Sequence, residues 1–255
     1  MFLDDSDASP TVTFRRVYPG AFPPMRADKS ALGGMPTVAF RHCEPMRIAS
    51  GMGWYVFPPE DIHLRWNGSD IFYLLDGEWQ PVSRESLPGF DEHWDERAPE
   101  DLKGLAPPWL TRFRVFPGAL QIWSGLLCST KPGWSLLIRP LVNIRGSHLY
   151  SCYEGLVEAD SFKPFPLFTN IQLIATDVTI ELPKTMPLFQ VQAVPRASYS
   201  DIAHRSLDID GLEEASMSAQ DWEDFRGTIH VDDDQGLAEE GKYTIATRKR
   251  AKGIE

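Results

Sequence analysis

The stretch from residue 115 to residue 195 constrains this chain most, because short apolar runs there are cut repeatedly by Pro, Gly and polar turns. "ALQIWSGLLCS", "GWSLLIRPLVNI", "PLFTNIQLIATDVTIELP" and "MPLFQVQAVP" are rich in β-branched and aromatic residues, which suit a pleated, half-buried surface. In such a strand every second residue faces the interior. Residues 117–195 are therefore expected to form a continuous antiparallel core, with Leu126, Leu136, Ile138, Ile171, Leu173, Phe189 and Val191 among its buried side chains. The 21 Pro and 19 Gly of the 255-residue chain fit many turns and short elements better than long helices.

The same signs extend upstream. "TVTFRRVYPG", "TVAFRHCEP" and "GMGWYVFPP" read as short strands bounded by Pro. "DIHLRWNGSDIFYLLDGEWQPV" reads as a hairpin around Asn67-Gly68, a pair suited to positive φ angles. From Ser83 to Pro108 the chain is too charged for core and is expected to make a surface excursion with a helical turn or two. After Ser198 the composition shifts. Asp201 to Glu240 is dominated by Asp and Glu, and the last residues reverse sign through Lys242, Arg248, Lys249, Arg250 and Lys252. Within this part "SAQDWEDFRG" reads as a short helix capped by Ser218, with Trp222 and Phe225 on one face. The expected organisation is one β-rich domain over residues 1–198 and an acidic then basic arm over 199–255, partly helical or disordered. Removing residues 230–255 is then expected to leave the melting temperature nearly unchanged.

A formal net charge of −11 disfavours nucleic acid as a partner, since phosphate neutralisation by Lys and Arg supplies most of that affinity. Cys43, Cys128 and Cys152 are odd in number and lack CxxC spacing, so neither a disulfide framework nor a zinc ribbon is indicated. The first residues, "MFLDDSDASP", are acidic where a signal peptide is basic and then apolar, and no apolar run approaches the ~20 residues that span a bilayer. These features together fit a reducing cytoplasm and no membrane.

Residues 117–195 also carry an ordered set of motifs. "SGLLCSTKPGWSLLIRP" is followed by "EGLVEAD", then "PLFTNIQL", then "MPLFQVQAVP", with "ASGMGWYVF" upstream as a fainter piece. In order and spacing they resemble the dUTPase and dCTP-deaminase superfamily. The resemblance implies a mainly β fold, a compact distorted antiparallel β-barrel called a β-clip. Here it would carry an N-terminal β-hairpin extension and an acidic C-terminal arm. It also implies a nucleotide ligand and a homotrimer whose subunits complete each site. Through "CEPMRIASGMGWYVFPP", "PGWSLLIRP" and "PLFQVQAVPR" the whole chain is similar to a bacterial and phage family to which no activity is attached.

The departures matter as much. Arg139-Pro140 inverts the family's Pro-Arg, Glu158 stands where dUTPases carry the aspartate that activates water, and Ser161 replaces their stacking tyrosine. No Arg precedes Gln190 in the usual place, and the Gly-rich phosphate lid is absent. Glu158 remains the catalytic candidate, because a carboxylate at a strand end can take a proton from attacking water, although its extra methylene displaces the base. A purely structural carboxylate is the other reading. Asp160 is placed to share Mg²⁺ with it, and Arg139, Asn143 and Arg145 follow the strand at the position used for phosphate in the look-alike family. Gln190 completes the ligand-binding candidates, and no metal-ligand set is indicated. His93 and Asp95 form an HxD pair that, with His148 or His204, would mimic the facial triad of an Fe(II) oxygenase on a jelly-roll barrel. Trp54, Tyr55, Trp123 and Trp134 offer either stacking surfaces or core. Three functions are thus open: a binder of a small anionic metabolite such as a nucleotide without ordinary dUTPase activity, a noncatalytic interaction module, or that oxygenase.

Overall fold

The computed structural model describes residues 10–205, 217–228 and 242–253. Its strands are β1 (Val12–Arg16), β2 (Met25–Arg26), β3 (Trp54–Val56), β4 (Ile62–Trp66), β5 (Ile71–Leu75), β6 (Glu78–Pro81), β7 (Arg84–Glu85), β8 (Leu110–Arg112), β9 (Ala119–Thr130) and β10 (Trp134–Arg139). They continue with β11 (Tyr150–Cys152), β12 (Gly155–Val157), β13 (Phe165–Leu173), β14 (Ile180–Leu182) and β15 (Phe189–Pro195). All pair antiparallel in three sheets. The first runs β11-β13-β9-β8-β7 with β1 also on β9, the second β12-β10-β15-β3-β2, and the third β14-β4-β5-β6. The fold is mainly β, in three antiparallel sheets, with no closed barrel among the described residues.

One hydrophobic core draws on all three sheets, from Leu120 and Trp123, through Leu136 and Val191, to Leu64 and Ile180. The seven side chains expected to be buried from alternation are each at most 5% exposed. The longest strand, β9, changes partner along its length, lying on β8 at Leu120 to Ile122 and on β1 at Leu126 to Thr130. Gly125 makes that change feasible. Its φ is +77°, its carbonyl accepts both Val17 N and Tyr18 N at 3.0 Å, and a Cβ there would lie 2.8 Å from the Tyr18 Cβ.

The expected hairpin forms between β4 and β5, and Asn67 Oδ1 holds the turn by accepting Ser69 N at 2.9 Å and Asp70 N at 2.7 Å. A second turn at Asp76-Gly77, both at positive φ, adds β6 to make a three-stranded meander. The charged excursion holds the helix α3 (Phe90–Asp95) and a 3-10 turn at Glu100–Leu102.

Residues 37–50 depart from the strand expectation and form two short helices, α1 (Thr37–His42) and α2 (Glu44–Ser50). The prolines bounding "TVAFRHCEP" are helix starts here. Pro36 directly precedes α1 and Pro45 lies in the first turn of α2, where a missing N–H costs no intrahelical bond. In the C-terminal part, α4 (Asp201–Arg205), α5 (Ala219–Thr228) and α6 (Lys242–Ala251) are helical. Ser218 caps α5 as expected, accepting Asp221 N at 3.1 Å while Asp221 accepts Ser218 N at 2.8 Å. The basic helix α6 docks on α1 and α2 through Thr244, which is buried at 3% exposure. Its hydroxyl donates to the His42 carbonyl at 2.6 Å and accepts Glu44 N at 2.9 Å.

Candidate functional site

Three turns meet at the end of the second sheet. β12 lies on β10 with Val157 opposite Leu136, and the chain then turns so that Ser161 N and Phe162 N both bond the Glu158 carbonyl. The β9–β10 turn reaches the same place through Gly133, whose carbonyl accepts Arg196 N at 2.8 Å just after β15 ends. Arg196 therefore stands between the two candidate carboxylates. Its Nη2 is 3.4 Å from Glu158 Oε2 and in close contact with Asp160 Oδ1. Asp160 is nearly covered and also accepts Gly133 N at 2.9 Å and the Ser161 hydroxyl at 3.2 Å. Burial acts to raise the Asp160 carboxyl, but the Gly133 amide, the Arg196 charge and the Ser161 hydroxyl outweigh it and hold the group below the ordinary carboxylate range. Glu158 is about half exposed.

This arrangement does not offer Mg²⁺ a site on these two carboxylates, because a guanidinium already occupies the space between them and would repel a divalent ion. Among the described residues no three His, Cys, Asp or Glu side chains come together as metal ligands. Burial pushes the Cys128 thiol up to about 12 and the Cys152 thiol up to about 11, so neither supplies a thiolate nucleophile at neutral pH.

Gln190 is fully buried on β15, and its side chain is spent on the scaffold. The amide donates to the carbonyls of Met52 at 2.6 Å and Ser50 at 3.2 Å, and its oxygen accepts Val142 N at 3.2 Å. Asn143, at φ +58°, donates to Ser50 Oγ at 3.0 Å and to the Met46 carbonyl at 3.2 Å, pinning the 140–146 loop to the end of α2. Arg139 and Arg145 are less committed. Arg139 Nε lies 3.3 Å from Glu154 Oε2 without hydrogen-bond alignment, and Arg145 is exposed with no ion pair among the described residues. Arg145 lines a cavity of about 210 Å³ with Leu141, Ile144, Tyr150, Cys152 and Leu188, smaller than the ~300 Å³ at which ordinary ligand pockets begin.

His93 and Asp95 lie two residues apart on α3, roughly 200° around the helix, and so face different ways. His93 Nδ1 meets Arg97 Nη1 at 3.0 Å, and Asp95 accepts Gly104 N at 2.8 Å. Of the aromatic candidates, Tyr55 and Trp123 are core, whereas Trp54 is half-buried between the Phe14 ring and the Arg26 guanidinium. Sequence reasoning missed Arg47 and the pairing of Glu44 with Arg248. Glu44, only 7% exposed, binds Arg47 at 2.5 Å and Arg248 at 2.9 Å. The run of cations at the C-terminal end was the one visible signal, and nothing in spacing joins positions 204 residues apart.

No protein-family model matches the chain. No curated protein matches it. Among solved structures it is similar to the dUTPase of phage phi11 of S. aureus, at 12% identity and a TM-score of 0.37, over 82% of this chain and 100% of that one. That structure concerns the coordination of a structural Mg(II) ion. The chain is also similar to the dUTPase of Staphylococcus bacteriophage 80alpha bound to dUpNHpp, at 11% identity and a TM-score of 0.35, over 82% of this chain and 100% of that one. That protein is described as controlling transfer of virulence genes. These likenesses of shape bring neither activity nor ligand to this chain. No helix among the described residues is long and apolar enough to cross a membrane.

Proposed function

We propose that this protein binds a small anionic metabolite of the nucleotide class and does not hydrolyse it. The observation that carries the reading is Arg196, which pairs with both Glu158 and Asp160 and so occupies the base and the metal-binding candidate together. Gln190 and Asn143 act as scaffold, which leaves Arg139 and Arg145 to engage the anion. Phosphoryl transfer depends on positioning and on stabilising charge, and a base alone, worth typically 10²–10⁴-fold, does not replace them. Three free cysteines accord with a reducing cytoplasm, and Val115, Phe116 and Phe162 provide exposed apolar surface of the kind a homo-oligomer covers. In this reading residues 1–198 form the binding domain and 199–255 an arm.

The test is pyrophosphate release from dUTP and other nucleoside triphosphates with Mg²⁺, together with thermal shifts on the same ligands. The expected result is no turnover above background in wild type or in Glu158→Gln, and a nucleotide-dependent rise in Tm that Arg139→Gln and Arg145→Gln diminish. Robust dUTP turnover abolished by Glu158→Gln would restore a hydrolase. A melting temperature unmoved by every nucleotide would remove the ligand.

A further inference from the structure

We infer that the concavity between α1, α2 and α6 is a binding site for a phosphate-bearing anion. Its lining is dominated by arginine. Arg41, His42, Arg47 and Arg248 surround a space of about 570 Å³, with Phe40 as the apolar member. The chain as a whole carries a formal charge of −11, so this concentration of cations runs against its average. The segment 242–253 alone has five Lys and Arg and no carboxylate.

The cations are held in place rather than scattered. Glu44 sits below the pocket and receives both Arg47 Nη1 and Arg248 Nε, while Arg248 Nη2 donates to the Arg41 carbonyl at 3.1 Å. The Arg47 guanidinium also lies over the Phe40 ring, 4.9 Å from its centre. One carboxylate fixes two guanidiniums and cancels only one of their charges. The Arg41 side chain makes no ion pair among the described residues, and the buried Arg47 Nε has no hydrogen-bond partner. The cluster thus retains a surplus of positive charge, with Arg41 unspent on any ion pair among the described residues. Planar guanidiniums in that state suit phosphate oxygens, which accept two parallel N–H bonds from one arginine. Thr244 brings the last component in, since its buried hydroxyl ties α6 to both His42 and Glu44.

The site uses none of the residues at the hydrolase-like positions, so it stands or falls apart from the reading above. Calorimetric titration of the full chain at low ionic strength with inorganic phosphate, pyrophosphate and a nucleoside diphosphate tests it. The expected result is saturable binding that Arg41→Gln and Arg248→Gln each weaken about tenfold, while Lys252→Gln, which removes the same charge from the segment after α6 without touching the pocket, leaves it unchanged. Arg41→Gln guards against a folding artefact, because only the Arg41 carbonyl, not its side chain, contributes to the docking of α6. Equal affinity for pyrophosphate and the nucleoside diphosphate supports the site with free phosphate as its source, and tighter binding of the latter supports it with a nucleotide. Absence of binding by all three probes would overturn the inference. So would equal losses in Arg41→Gln, Arg248→Gln and Lys252→Gln, which mean diffuse charge.

Discussion

Two arginine–carboxylate clusters in this molecule use the same parts in inverse proportion. Beside the β9–β10 turn one arginine, Arg196, serves two carboxylates, Glu158 and Asp160. Beneath α6 one carboxylate, Glu44, serves two arginines, Arg47 and Arg248. The first is left with one negative charge and the second with one positive, before Arg41 is added. Ratio rather than residue type decides what each can attract, and the cluster beside the β9–β10 turn is the one unsuited to phosphate. The short helix α2 carries Glu44 at its start and is tied at its end to β15 and the 140–146 loop, where Ser50 receives Asn143 and Gln190.

The comparison depends on α2 being fixed against β15, and Gly53 is where that attachment is most easily broken. It has φ +82°, and a Cβ there would lie 1.8 Å from the Val191 carbonyl oxygen. Gly53→Ala is expected to destabilise the protein by at least ~3 kcal/mol in urea unfolding, disturbing both clusters together. An unchanged midpoint would show that α2 and β15 do not need each other.

Removing residues 242–255 acts on the basic cluster alone. The docked α6 replaces the expectation that the C-terminal end can be deleted at no cost, since its loss leaves Glu44 N without its partner. A fall in Tm of roughly 3–6 °C is expected, measured by differential scanning calorimetry. Acid should reduce the same contribution. Burial acts to raise the Glu44 carboxyl, but Arg248 and Arg47 outweigh it and hold the group below its ordinary value of 4.5. A depressed carboxylate contributes stability that is complete above its ordinary pKa and is lost as pH falls through the lower folded one. The Tm difference between full-length and truncated protein is therefore expected to be constant from pH 7 to about 5 and to narrow as the pH falls further. A gap that does not narrow in acid would remove Glu44 from the docking.

The acidic cluster should respond more weakly. Arg196→Gln leaves Asp160 with Gly133 N and the Ser161 hydroxyl, so a fall in Tm of only a few degrees is expected, with Asp160→Asn in the same background recovering part of it. Glu158→Gln alone, at an exposed carboxylate 3.4 Å from its partner, should shift Tm by no more than about a degree. A large effect there would mean that Glu158 is held more firmly than its exposure indicates.

Much of the scaffold was legible because strand burial is a local property. Alternation specified the inward side chains most cleanly in "FPLFTNIQL", where buried and partly buried residues alternate throughout β13, and Ser218 announced its helix through a capping pattern three residues long. The same local logic failed at residues 37–50, where proline marks a strand boundary and a helix start equally well, and contacts of Glu44 and Ser50 with distant segments accompany the helical outcome. Gln190 and Asn143 follow from the superfamily resemblance rather than from local pattern, and no pattern along the chain reveals that both amides are hydrogen-bonded to groups brought from elsewhere.

The sequence by itself determined the mainly β character, the inward face of the core strands, the hairpin at Asn67-Gly68 and the charge reversal near the C-terminal end. Only the tertiary structure decided that Arg196 would lie between Glu158 and Asp160, and that Arg248 would share Glu44 with Arg47. The reason is physical. Periodicity and turn chemistry act over a few residues, whereas an ion pair forms between whichever charges the packed sheets and helices leave side by side, at separations along the chain that no repeat encodes.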